Sequence, residues 1–249
     1  MMRNLLCVLL LTAAPLLGAD RFEQEPETRN LSPFSELSAA QGITVVLTPG
    51  PKPMAIIHTG GNITAKDVIT EVSGQRLRVS FRDEPRGKAS VEVEVIYQTL
   101  TELKASSGAR ISGTVALLGD DCLLKASSAG RIQVPLKVNK VQLEASSSGE
   151  ISSQLTAQAV YCKGSSSGSL DLSGTTQRLV ADISSAGTLR ARDLETQTAI
   201  VEASSGSQAT LWATQRVEIE ASSGALVNYY GNPETFLKAR SGALIKHKQ

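Results

Sequence analysis

This sequence has no appreciable net charge and little histidine. It also has none of the short motifs by which nucleotide-, zinc- or calcium-binding sites are commonly recognised. Its 249 residues hold 25 Lys and Arg against 24 Asp and Glu. Removing residues 1–19, whose one charged group is Arg3, would leave the two signs equal. A chain without a basic excess offers no electrostatic case for nucleic acid or an anionic membrane as partner. The histidines, His58 and His247, lie near opposite ends of the chain. No Walker loop, zinc-ligand spacing, Gly-Asp calcium repeat or dinucleotide fingerprint occurs, so no cofactor is expected.

Long apolar runs are also lacking, with one exception. Leu5 to Leu17 follows Arg3 and ends at the small pair Gly18-Ala19 before the polar Asp20. That pattern is a secretory signal cleaved after Ala19, too short and wrongly flanked to be an anchor. Cys7 lies inside the run and does not mark a lipoprotein site. The mature chain is therefore expected to have no membrane span and to be extracytoplasmic: periplasmic, surface-held or secreted. Residues 20–30 (DRFEQEPETRN) are polar and read as a disordered tether.

What the chain does have is a repeat. Ser-Ser followed by Gly returns from position 104 onward in KASSGARI, KASSAGRI, EASSSGEI, KGSSSGSL, DISSAGTL, EASSGSQA, EASSGALV and KARSGALI. The anchor residues Ala105, Ala126, Ala145, Gly164, Ile183, Ala203, Ala221 and Ala239 are 18 to 21 residues apart. A unit that short buries no core alone and must stack on its own copies. Two residues before each anchor the column is apolar, from Leu103 to Leu237; six after it the column runs from Ile111 to Ile245. The column just before the anchor is charged throughout. Apolar, charged, small in succession is period-two alternation. The fold class is therefore all-β, a parallel β-solenoid with small inward anchors and a Gly at the corner to supply positive φ. The usual hand of parallel crossovers favours a right-handed β-helix. The same parity places Ser107, Ser128, Ser147 and their equivalents inward, with hydroxyls stacked along the axis. Residues 31–249 read as one domain, with strands of irregular length over 31–100 capping the Ser-Ser-Gly rungs of 101–249.

The segments LSPFSELSAAQGITVVLTPG, VSGQRLRVSF and YQTLTELKASSGARI, followed by the Ser-Ser-Gly rungs, resemble the head GIN domain family of auto-transporter adhesins. Gly42-Ile43-Thr44 stands where that family has Gly-Ile-Asn. The resemblance spans roughly residues 31–245 and implies a bacterial, exported, all-β solenoid. It implies little about chemistry, because the family carries no established active site; the chain reads as an adhesin-like binding or structural module, and the partners expected are a glycan or a cell-envelope protein.

Candidate chemistry is sparse. Cys122 and Cys162 remain in the mature chain, but their anchors lie two rungs apart, an axial offset of roughly 9–10 Å. That exceeds the reach of a disulfide, about 7 Å between Cα atoms, so both read as buried fillers. GSSSG at 164–168 fits a nucleophile-elbow pattern around Ser166, but the elbow needs a strand–turn–helix setting and a His partner. Asp182, Glu202 and Glu220 occupy the outer charged column on successive rungs. They read as a solvated ladder; the alternative is a cation site, or the carboxylates of a polysaccharide lyase or hydrolase. Nine residues after successive anchors come Arg192, Trp212, Tyr230 and Lys248. An exposed Trp and Tyr flanked by cations suit a sugar ring or a partner's side chain.

Overall fold

A computed structural model describes Phe22 and residues 24–83 and 89–249. The expected signal segment 1–19 lies outside the described residues. The fold is all-β, a parallel β-solenoid of about eight turns of roughly 19 residues.

The regular coil begins with β8 (Glu102–Ala105) and β9 (Arg110–Gly113), followed by β10 (Leu117–Ala126), β11 (Arg131–Gln133) and β12 (Leu136–Ala145). Long bent strands come next: β13 (Glu150–Gly164), β14 (Ser169–Ile183), β15 (Thr188–Ala203) and β16 (Gln208–Ala221). Then β17 (Leu226–Tyr230), β18 (Glu234–Ala239) and β19 (Leu244–His247) close the chain. The columns read from sequence are the observed register. Ala105, Ala126, Ala145, Gly164, Ile183, Ala203, Ala221 and Ala239 pair rung to rung. From Ala105 to Ala221 the anchors are buried, and so are the flanking apolar columns. Only on the last rung do the inward positions open to solvent, with Leu237 and Ala239 exposed.

The corners differ from expectation in an informative way. Ser128 and Ala129 have φ of 49° and 60°, and the same pair of left-handed residues recurs at Ser147-Ser148, Ser166-Ser167 and Ser185-Ala186. A bond from the Gly130 N–H to the Ser127 carbonyl, 2.8 Å, closes each as a turn with positive φ at both central residues. Two left-handed residues in sequence break period two, so the serines expected inside face solvent instead. Their backbone still stacks: the Ala129 N–H donates to the Ser147 carbonyl at 3.1 Å, and the pattern continues up the coil. In the Ser-Ser-Gly corners, Gly108, Gly206, Gly224 and Gly242 supply the second positive φ. In the corners one residue longer, Gly does something else. A Cβ on Gly149 would lie 2.2 Å from the Ala126 carbonyl oxygen, so Gly is needed there for close approach of two backbones.

The N-terminal segment contains β1 (Glu27–Asn30), β2 (Glu36–Ala39), β3 (Thr44–Pro49), β4 (Met54–Gly61), β5 (Val68–Ser73), β6 (Arg76–Phe81) and β7 (Ala89–Tyr97). Within it β2 and β3 form a ninth unit of the repeat. Leu37 and Ala39 pair with Leu103 and Ala105, and Gln41 and Gly42 carry φ of 60° and 74° at the corner. This unit lies between β6–β7 on one side and β8–β9 on the other. Antiparallel strands β5 and β4 cover β6 and β7, and β1 pairs with β4. The tether expected over 20–30 is thus an ordered strand across 27–30. Arg29 holds it there, donating from Nη1 to the Val68 carbonyl and from Nη2 to the Ala65 carbonyl, both at 2.7 Å. Composition alone does not register an arginine that finds carbonyl partners in the cap.

Candidate binding face

Side chains on the outer surface sit where the register puts them. Lys137, Thr156, Thr175, Glu195, Trp212 and Tyr230 succeed one another rung by rung in a single column. Trp212 is 43% exposed, and it rests its Cδ1 and Nε1 edge over Gly231, where a Cβ would come within 3.0 Å of both atoms. The Arg192 guanidinium lies 4.5 Å from the centre of the Tyr230 ring, a cation–π contact on a half-buried aromatic. Lys248 follows one rung on, donating its backbone N–H to the Tyr229 carbonyl. Sequence reading thus places Trp212, Tyr230 and Arg192 together, but by the wrong column. Pairing jumps from Ala191–Leu211 to Glu195–Trp212, so residues 192–194 bulge and Glu195, not Arg192, precedes Trp212. Arg192 reaches Tyr230 from the bulge.

A second column escapes the Ser-Ser-Gly reading. Asp120, Asn139, Gln158, Gln177 and Gln197 each stand six residues before an anchor, and the pairing ladder skips them on successive rungs. They form the opposite corner of the coil. Their side chains link along the axis: Asn139 Nδ2 donates to Asp120 Oδ1 at 2.7 Å, and Gln158 Nε2 to Asn139 Oδ1 at 3.4 Å. Between this column and the Lys137–Glu195 column runs an open groove of about 570 Å³, floored by Gly119, Val138, Ala157 and Thr176. The sequence signal was present, because the amides recur with the same period as the anchors.

Asp182, Glu202 and Glu220 are in register on adjacent rungs, as the charged column requires. Lys238 follows Glu220 in that column and donates to its Oε1 at 2.9 Å, and Arg240 borders the same recess. Among the described residues no cluster of three or more His, Cys, Asp or Glu side chains is arranged to hold a metal ion. Ser166 is an exposed corner residue with φ of 48°, not a strand–helix elbow. His247 stacks on Tyr229 at 4.8 Å between ring centres, and His58 faces Phe22. Both cysteines are free and buried. Cys122 pairs with Val141 and Cys162 with Leu143, which puts them in different columns two rungs apart. Loss of solvent pushes each thiol up to about 12.

A serine-cornered parallel solenoid whose distinctive surface is a groove and an aromatic pair defines a class of repeat protein. The chain belongs to the family described as "putative auto-transporter adhesin, head GIN domain", which matches residues 33–233. Solved structures share the fold at low identity. A "putative adhesin" from Parabacteroides merdae superposes with a TM-score of 0.83 at 17% identity, covering 93% of this chain and 98% of its own. A "putative adhesin" from Parabacteroides distasonis gives 0.82 at 18%, covering 90% and 96%. A "putative lipid binding protein" from the latter organism gives 0.76 at 18%, covering 92% and 99%. Comparison with curated proteins finds no match. Among the described residues no helix is long and apolar enough to cross a membrane.

Proposed function

We propose that this chain is an exported, non-enzymatic binding module of the cell envelope, and that Trp212, with Tyr230 and Arg192 beside it, is its contact patch for a glycan or an envelope protein. The observation that carries this reading is the exposure of the chain's one Trp in register with Tyr230, where two aromatic rings succeed each other on adjacent rungs; the other exposed rings, Tyr161 and Phe236, lie under Lys140 and Arg216. Export rests on the character of residues 1–19. Membership of an adhesin-like family supports a binding role.

The rival reading is a polysaccharide lyase or hydrolase working through Asp182, Glu202 and Glu220. Against it, Glu220 is already paired with Lys238. One experiment separates the two: a glycan array probed with the mature chain, with captured sugars recovered and sized. We expect capture of intact sugar that Trp212→Ala abolishes, and no melting-temperature shift with calcium. Shortened products that depend on Glu202 would establish the enzyme instead.

A further inference from the structure

The Trp212 patch is not isolated. Glu195, at the end of the amide groove, is the register partner of Trp212, so the exposed indole stands one rung beyond the groove's last wall residue. We propose that groove and indole form one axial track for an extended, neutral, β-linked glycan, with Trp212 stacking a sugar ring at one end. The inference rests on the patch reading and deepens it by naming the ligand class.

Three observations support that class. First, the groove repeats with the rungs at about 4.8 Å, close to the advance of one pyranose along an extended β-1,4 chain. A linear sugar lying in it would keep step with the coil at about one ring to a rung, with alternate rings turned over. Second, the chemistry of the walls is neutral and two-handed. Asn139, Gln158 and Gln177 offer both N–H donors and carbonyl acceptors, and Thr156 and Thr175 face them with hydroxyls. Sugar hydroxyls need that mixture, since each both donates and accepts. Third, the charged residues lining the groove, Lys137 and Glu195, are of opposite sign, and Asp120 stands beyond the lining with its carboxylate bonded by Asn139, so the groove carries no excess of one sign to draw a polyanion or polycation.

The groups are also held ready. The Thr176 hydroxyl is buried and shares its one proton between the Gln158 carbonyl, 3.3 Å away, and the Arg178 carbonyl, 3.2 Å away, which anchors the corner from beneath. Asn139 and Gln158 are aligned by the side-chain bonds running down the column, which lowers the cost of ordering them on a ligand.

The test is titration of the full chain with cellohexaose, chitohexaose and β-1,4-mannohexaose, and with the corresponding disaccharides, read by Trp212 fluorescence and calorimetry. At least one hexasaccharide should bind, more tightly than its disaccharide. Gln158→Ala with Gln177→Ala should weaken it about tenfold at unchanged melting temperature. Thr175→Arg, which fills the groove from an exposed position, should do the same. Binding of no hexasaccharide, or affinity independent of length and of these substitutions, overturns the track. If binding survives those substitutions but is lost in Trp212→Ala, the patch stands alone. If Trp212→Ala binds normally while the amide variant does not, the patch reading fails and the groove remains. Binding of an unstructured peptide pool in place of all the sugars would also overturn the assignment.

Discussion

Ile183 fills the space that Gly164 leaves empty. The two are register partners on adjacent rungs, and a Cβ on Gly164 would lie 3.1 Å from Ile183 Cδ1. Alone among the anchors, this pair replaces two small residues with the smallest residue and a large one. The wall is therefore matched in volume, not uniform, and the two positions should be coupled.

A double-mutant cycle measures that coupling. Ile183→Ala alone should cost about 2–4 kcal/mol through the cavity it leaves. Gly164→Ala alone should cost about 1 kcal/mol by crowding Ile183. Together they recreate the Ala–Ala pair found at Ala126 and Ala145, and urea unfolding should show less loss than the sum. Strict additivity would mean that the two side chains do not share space.

Ser207 is the second test of packing. It occupies the inward position just past its corner, where other rungs carry Ala109, Gly130 or Ala225, and its buried hydroxyl has no partner. An unsatisfied buried hydroxyl costs about 1–3 kcal/mol. Ser207→Ala should therefore raise stability by about 1 kcal/mol, seen as a higher denaturation midpoint at unchanged slope. A destabilised variant would show that the hydroxyl has a partner in solution.

The cysteines make a pH-dependent prediction. Their folded-state values, about 12, lie above the ordinary 9.0 of an accessible thiol, because burial disfavours the thiolate. The stability they contribute is fully present below pH 9 and is lost as the pH rises toward 12. Cys122→Ala with Cys162→Ala should flatten stability across that window, and native protein at pH 8 should resist iodoacetamide until unfolded. Rapid labelling of either thiol, or a Cys122–Cys162 crosslink in unreduced protein, would contradict the register.

The coil itself was legible because its columns are written in apolar and charged residues of fixed period, and strands preserve that period. What failed to show in the sequence lies in the bends. The unit at Leu37 to Ile43 has Ala40 and Gln41 where the others have serines, so a search keyed on Ser-Ser passes over it. Yet its corner has the same two left-handed residues. Arg192 was misplaced because rungs of unequal length absorb their extra residues in bulges, and counting from an anchor accumulates the error there. The serines were turned outward by the same cause, a local backbone geometry that period-two reasoning does not contain. The amide column is legible only by its period: its residues stand at the opposite corner, outside the strand alternation, and vary between Asp, Asn and Gln, though they repeat as faithfully as the serines.

The unit formed by β2 and β3 has neighbours that come from later in the chain on both faces. Order along the chain and order along the axis therefore part company at this end. A truncation beginning after Pro49 would not shorten the stack; it would take a slab from its interior and leave β6–β7 facing β8–β9 across a missing layer. Shortening from the other terminus peels off whole rungs, each the last on its side. During synthesis β2 and β3 emerge early but gain their outer neighbour only when the chain has reached Tyr97. The layers between Glu36 and Gly113 thus depend on one another for their neighbours, whereas each later turn is laid on the one before it.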